Sequence, residues 1–163
     1  MLPPLPPYEA LHPLAVHLPI GVLLVAWVPM LIGVLDRKRR HTWLACGAVM
    51  LLIGVASLQF AVMTGEAAER IVGGATQEIS DAISAHEVLA NRTRMLYILT
   101  VFLYMLAWLI YAKAQPKRER MVLVVGCATV AIIYTLALMG LINTGHTGGV
   151  LVHIYGVRAP IGR

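Results

Sequence analysis

Charged residues are scarce in this sequence of 163 residues. Asp, Glu, Lys and Arg together account for 13% of it, whereas hydrophobic residues account for 59%. The mean hydropathy is +0.78. Soluble domains usually carry about 25% charged residues, so this composition excludes an ordinary soluble globular protein and indicates a membrane protein.

Cysteine is also scarce: the chain contains only Cys46 and Cys127. No pair of cysteines has the close spacing of a zinc or redox site, and no C-x-x-C-H motif is present for covalent attachment of haem. The serine, cysteine and paired-carboxylate signatures of hydrolytic enzymes are also missing. The sequence therefore gives no positive indication of catalytic activity.

Four long runs contain no Asp, Glu, Lys or Arg: residues 14–35, 43–63, 95–111 and 121–142. About 20 apolar residues in a helix cross the hydrocarbon core of a bilayer, so each run predicts a transmembrane helix within a single domain spanning residues 1–163. The third run is the shortest and is expected to begin earlier. The first run is interpreted as a retained helix rather than a signal peptide, because a basic segment follows it and none precedes it.

Basic residues are concentrated in two short loops, "DRKRR" after the first run and "KAQPKRER" after the third. The positive-inside rule places these loops in the cytoplasm, which puts both termini and the connection 64–94 on the outer side. We therefore predict an all-α integral membrane protein, an up-down-up-down four-helix bundle with periplasmic N- and C-termini in a bacterial inner membrane. The basic charge is explained by this orientation, so nucleic-acid binding is not expected.

The outer connection 64–94 contains a helix of its own. The pair Gly73–Gly74 breaks the chain, and acidic residues at the start of the next segment favour a helix N-terminus. Ile79, Ile83, His86 and Ala90 recur at spacings of four, three and four, so they share one face of an amphipathic helix that leads into the third span. His86 is therefore expected to point with the apolar residues, near the level of the outer headgroups.

Histidine provides the main functional indication. Of six histidines, only His41 lies in a cytoplasmic loop, and the other five fall on the outer side: His12, His17, His86, His146 and His153. They come from three parts of the chain that a four-helix bundle brings to one end. Each alone is compatible with an interfacial or hydrogen-bonded structural role. His17 is an exception because it lies inside an apolar run, where an ionisable residue is costly.

Imidazole is a neutral ligand for iron, copper and zinc, and it suits an apolar site. Two axial imidazoles on facing helices are a common arrangement for haem, which would be non-covalent and b-type here. His12 and His17 are five residues apart, about 140° on a helix, which favours one or two haems over a compact metal centre. A copper or zinc site completed by Glu66, Glu69 and Glu87 is the alternative.

The segment "TGHTGGVLVHIYGV" follows the fourth run and is rich in glycine. Gly145, Gly148 and Gly149 predict tight turns around His146 and a close approach of the backbone to a bulky ligand. The apolar residues after them are expected to fold back onto the outer face. An ordinary end of the helix followed by an interfacial tail is the other interpretation.

The motifs "LHPLAVHLP", "TGEAA" and "GHTGGVLVHIYGV", with an isolated histidine before the third span, resemble the bacterial membrane family known as domain of unknown function 2231. The resemblance covers nearly the whole chain. It implies four spans, with His12, His17, His86 and His146 at the family's histidine positions near one membrane face. It also implies a redox setting, because members occur beside or fused to cytochrome-type domains.

These observations predict a b-type haem protein that transfers electrons near the outer face. Partners are expected to be the lipid bilayer and cytochrome or other subunits of a membrane redox complex. The preferred ligands are His17, His86 and His146, followed by His12 and then His153. Thr64, Glu66 and Tyr155 are candidates for supporting them. A structural accessory subunit, whose histidines form only a polar network, remains the rival hypothesis.

Overall fold

The structure is a computed structural model that describes residues 6–157, and that part of the chain forms helices without strands. A short 3-10 helix, Tyr8–Ala10, precedes six α-helices: α1 (His12–Ala15), α2 (His17–Val25), α3 (Trp27–Leu35), α4 (Arg40–Glu69), α5 (Gln77–Ala112) and α6 (Glu119–His153). α1 to α3 form one candidate span, and α4, α5 and α6 form three more. The prediction of four helices long and apolar enough to cross a membrane is confirmed.

Prolines divide the first span into its three helices. Proline has no N–H to donate, so the carbonyl four residues earlier loses its helical hydrogen bond. Pro19 leaves the Ala15 carbonyl without this hydrogen bond, and Pro29 does the same to the Val25 carbonyl. α1 ends at Ala15 and α2 ends at Val25.

The longest helix, α5, begins where the sequence predicts it. Gly74 has a φ of 70°, a conformation that glycine adopts without strain, and the Thr76 side chain then accepts a hydrogen bond from the Ile79 N–H at 3.4 Å. From there α5 continues without a break into the third span, as expected. The predicted apolar face, from Ile79 to Ala90, is partly buried. It continues through four buried side chains: Thr93, Tyr97, Thr100 and Tyr104.

The end of the fourth span differs from both interpretations of the sequence. α6 does not stop or turn at the glycines around His146 but continues to His153. Glycine weakens a helix by only about 1 kcal/mol relative to alanine, and α6 contacts α5 over this stretch, where Thr147 lies 2.8 Å from His86 Nδ1 and Thr144 lies 3.1 Å from Thr93. The hydroxyls of Thr144 and Thr147 also donate to carbonyls of α6, at 2.8 and 3.0 Å.

The helices pack as two pairs, α1–α3 against α4 and α5 against α6. Tyrosine hydroxyls connect the pairs: Tyr134 of α6 donates to the Leu23 carbonyl, and Tyr104 of α5 donates to the Leu44 carbonyl at 2.7 Å. Many apolar side chains outside the shared core are exposed. In the apolar 18-residue stretch of each candidate span, no more than 39% of the residues are buried within the protein. Exposed apolar surface of this extent is suited to lipid.

α2 packs closely against α4 at Gly54. A Cβ added to Gly54 would lie 2.7 Å from Leu23 Cγ, and Leu23 is completely buried. We expect Gly54→Val to lower the free energy of unfolding by about 1–3 kcal/mol through overpacking. Gly21→Val is the matched control, because no heavy atom lies within 4 Å of a Cβ at that position. Unfolding in detergent measures both, and equal stability of the two variants would contradict this account of the contact.

The turn between the first two spans is shaped by Asp36. Its carboxylate accepts hydrogen bonds from the backbone N–H groups of Arg39 and Lys38, at 3.2 and 3.0 Å. The bond from Arg39 is the main reason that the pKa of Asp36 is lowered. The turn holds the basic residues that follow it at one end of the bundle.

Candidate haem-ligand site

The first candidate ligand, His12, lies at the start of α1 and contacts the far part of α4. Its Nδ1 is 2.9 Å from the carbonyl oxygen of Ala61. A carbonyl only accepts, so Nδ1 carries the hydrogen and donates it. Thr64 Oγ1 lies 3.4 Å from the same nitrogen and donates to the same carbonyl. In the neutral imidazole this leaves the Nε2 lone pair available to a ligand.

The second candidate ligand, His86, has an equivalent arrangement in the other helix pair. Its Nδ1 is 2.8 Å from Thr147 Oγ1 in α6. The Thr147 hydroxyl donates to the Thr144 carbonyl, so it accepts the hydrogen from His86 Nδ1. With the Thr147 hydroxyl in this orientation, the hydrogen of His86 lies on Nδ1 and the free lone pair on Nε2.

A glycine lies beside each of these rings. A Cβ at Gly65 would be 3.0 Å from His12 Cε1, and a Cβ at Gly148 would be 3.1 Å from His86 Cε1. Any larger residue would press on the ring, so glycine allows each imidazole to pack directly against the helix backbone. In both pairs a histidine therefore rests on a Thr-Gly dipeptide of the partner helix.

The structure brings His12 and His86 to the same region of the bundle. Both rings are partly buried. His12 contacts α4 at Thr64, and α5 contacts α4 two turns after His86, where Arg94 donates to Gln59 at 3.1 Å. Both are held through Nδ1, which is how metal-bound histidines are usually oriented, with the other nitrogen directed at the metal. This pair is the strongest candidate for two axial ligands.

The other predicted ligands have different surroundings. His17, His146 and His153 all have exposed side chains. His12 and His17 differ in exposure, as the five-residue spacing predicts for two residues on different helix faces. His146 is adjacent in sequence to Thr147 but is exposed, whereas Thr147 faces His86.

The alternative copper or zinc site includes three acidic residues: Glu66, Glu69 and Glu87. Within residues 6–157 no group of three or more His, Cys, Asp and Glu side chains is arranged to hold a metal ion. The compact copper or zinc centre therefore has no supporting cluster in this part of the chain.

Two of the predicted supporting residues have partners. Thr64 contacts His12 as expected of a supporting residue. Tyr155 instead donates to Glu78 Oε1 at 3.2 Å, and this hydrogen bond, together with the negative charge of Glu78, raises the pKa of Tyr155. Sequence reasoning did not find Gly65, Thr147 or Gly148 as ring contacts. The available signal was the Thr-Gly dipeptide that occurs in both "MTGEAA" and "GHTGGV".

Two apolar cavities lie elsewhere in the bundle. One, of about 370 Å³, is lined by residues of α3 to α6, including Trp27, Tyr104 and Trp108. The other, of about 300 Å³, lies between α5 and α6. Neither is lined by a histidine, so the candidate site depends on the chemistry of its side chains and not on either cavity.

A comparison with known protein families gives one match. Residues 8–160 match the family described as "Predicted membrane protein (DUF2231)". The chain belongs to this family. The match covers both histidines of the pair and both Thr-Gly dipeptides, and it confirms the resemblance inferred from the motifs. No curated protein and no solved structure matches the chain.

Proposed function

We propose that this DUF2231 protein binds b-type haem through His12 and His86 and transfers electrons as part of a membrane redox complex. The observation that carries the proposal is that both imidazoles are hydrogen-bonded in the same way. Each donates through Nδ1 to an oxygen of the neighbouring helix and keeps its Nε2 lone pair free. Two neutral imidazoles add no charge to a weakly polar site, which suits two axial ligands of a haem iron.

The donor set fits haem better than a small metal ion. One or two protein side chains can hold a haem iron, whereas structural zinc needs about four protein ligands. The described residues supply a pair of imidazoles and no cluster of three. When bound, haem would supply one-electron redox chemistry. Ala61 and Thr147 would orient the two rings by accepting their Nδ1 hydrogens, and Gly65 and Gly148 would set how far each ring can move.

We extend the proposal to orientation. The bundle is up-down-up-down in a bacterial inner membrane, with the His12–His86 end facing the periplasm. Contacts between α1–α3 and α4 support the antiparallel order, because His12 contacts Ala61 and Gly33 lies against Leu44. The basic loops lie at the opposite end from the two histidines along these helices, as the positive-inside rule requires for a cytoplasmic end.

The first test is a reduced-minus-oxidised absorption spectrum of the detergent-purified protein, with iron, copper and zinc measured on the same sample. We expect sharp b-type bands and stoichiometric iron. Stoichiometric copper or zinc without porphyrin bands would replace haem with the metal alternative. Protein that was expressed with ample haem but contains neither haem nor metal would overturn the proposal.

The rival function, a structural accessory subunit, is favoured by one observation. A chain of hydroxyls connects α5 and α6 around His86, because Thr93 and Thr144 lie 3.1 Å apart and Thr144 is one turn from Thr147. Such a network stabilises helix contacts without any cofactor. In that case His86→Ala would lower stability and leave the spectrum and metal content unchanged.

A further inference from the structure

The larger of the two apolar cavities is elongated along the helix axes. Most of its lining residues fall within 27–34 of α3, 104–111 of α5 and 122–138 of α6. On each helix they recur at spacings of three or four, so they form one face. At a rise of 1.5 Å per residue, the lining extends about 10 Å along α3 and α5 and about 24 Å along α6. A cavity of about 370 Å³ with this shape suits a chain better than a compact ligand.

The cavity opens sideways between α3 and α6. Leu31 of α3 is 48% exposed, and Ala131 and Thr135 of α6 are also exposed, although all three residues line the cavity. Nearer the histidine end, α6 is held to α2, because the Tyr134 hydroxyl donates to the Leu23 carbonyl. A hydrocarbon chain of the surrounding bilayer can therefore enter between the two helix pairs from the side.

The four hydroxyl groups that line the cavity are already used within the protein. Tyr104 and Thr135 donate to backbone carbonyls at 2.7 and 2.8 Å. Tyr134 also donates to a backbone carbonyl, and Tyr111 donates to Glu119 at 2.7 Å. The rest of the wall is aliphatic and aromatic, apart from two indole N–H groups and one thiol. A polar ligand would lose its hydrogen bonds to water there with little in return, whereas an acyl chain would lose none.

One end of the cavity reaches the basic loops. Val34 and Tyr111 line this end, and each accepts a hydrogen bond from Arg40. Beyond Arg40, the loops carry seven exposed basic residues: Arg37, Lys38, Arg39, Lys113, Lys117, Arg118 and Arg120. The same loops contain two acidic residues, and both of these are hydrogen-bonded to the protein. An anionic headgroup therefore complements the charge at this end of the cavity.

We propose that this cavity holds one acyl chain of an anionic phospholipid whose headgroup lies among the basic loop residues. The chain fills the elongated gap between α3, α5 and α6, and the phosphate lies beyond Arg40, where the exposed Lys and Arg residues attract it. A bound lipid of this kind joins the two helix pairs at the end opposite the histidines. The inference is independent of haem, because no histidine lines the cavity.

The first test uses the full chain purified in mild detergent, with native mass spectrometry and a phosphorus measurement. Ala131→Phe fills the cavity from an exposed position. Ala128→Phe is the matched control, because Ala128 is exposed on the same helix but does not line the cavity. We expect the parent protein to retain one phospholipid per chain, with at least a tenfold loss in Ala131→Phe and none in Ala128→Phe.

Headgroup preference is measured on the parent protein by exchange with phosphatidylglycerol and phosphatidylethanolamine of identical acyl chains. We expect phosphatidylglycerol to be retained in excess. The excess should fall as salt is raised, because salt screens the exposed charges of the loops. Equal retention of the two lipids at low salt would overturn the assignment of an anionic headgroup.

Tryptophan fluorescence gives a readout that needs no variant. Trp27 and Trp108 line the cavity, so phosphatidylglycerol with brominated acyl chains should quench them, and the quenching should saturate near one lipid per chain. Quenching that rises only in proportion to the lipid fraction would indicate ordinary surrounding lipid and overturn the inference. A parent protein without bound phospholipid would also overturn it, as would equal retention in the two Phe variants or a bound molecule without phosphorus that Ala131→Phe displaces. Each of these results leaves the haem proposal to its own spectral test.

Discussion

Replacing either His12 or His86 by alanine is expected to abolish haem binding. Substitutions of residues that merely orient a metal-bound histidine typically cost 10–100-fold in affinity, so loss of the ligand itself should exceed about 100-fold. The purified His12→Ala and His86→Ala proteins should lack b-type bands and stoichiometric iron. Elution as a single species in size-exclusion chromatography would show that the loss is not due to misfolding.

Three other histidines that the sequence offered as ligands provide matched controls. His17→Ala, His146→Ala and His153→Ala remove the same ring from exposed positions, and we expect each variant to retain haem. Thr147→Val keeps the shape of the side chain but removes the acceptor for His86 Nδ1, so it should weaken haem binding by about 10–100-fold. Retention of the spectrum in His12→Ala and His86→Ala, with its loss in His17→Ala, would refute this assignment and restore the ligand order that the sequence suggested.

Sequence reasoning recovered the helices because the bilayer imposes strong constraints on length and charge. Four uncharged runs of about 20 residues have few alternatives to four helices. The amphipathic start of α5 was also predictable, since Ile79, Ile83, His86 and Ala90 follow helical spacing after the Gly73–Gly74 break. Proline explains the divided first span, but the exact ends of α1 and α2 required the backbone itself.

The site was only partly predictable from the sequence. Periodicity shows on which face of a helix a residue lies, but it does not show which residue of another helix it contacts. The grouping of five histidines at one end of the bundle and the inward direction of His86 could be inferred from the sequence. The choice among ligands could not, since it depends on which helices pack together and which carbonyl each Nδ1 reaches. The glycines near His146 were misleading for a related reason. Gly148 lies within α6, where it lets the His86 ring of α5 pack against the helix backbone, and it does not form a turn. The local sequence does not distinguish these two uses of glycine.

The end of the bundle opposite the histidines depends on one buried arginine. Arg40 is 8% exposed. Its Nε and Nη2 donate to the carbonyls of Gly33 and Val34 in the last turn of α3, at 3.0 and 3.2 Å. These carbonyls have no partner within their own helix. Its Nη1 donates to the Tyr111 hydroxyl at 2.9 Å and lies 3.6 Å from Glu119, so one side chain joins α3, α4, α5 and α6.

Arg40→Ala is therefore expected to lower the free energy of unfolding by about 2–4 kcal/mol, because it leaves two carbonyls and the Tyr111–Glu119 pair without their shared donor. Arg40→Lys should recover only part of this loss, since an ammonium group cannot reproduce the planar fork of donors. Arg39→Ala is the control: it removes the same charge from an exposed neighbour and should change stability by less than about 0.5 kcal/mol. Unfolding in detergent by heat or denaturant measures all three. If Arg40→Ala is no less stable than Arg39→Ala, then basic residues at this end serve orientation alone, and the contact between the two helix pairs must depend on Tyr104, Tyr134 and the apolar core.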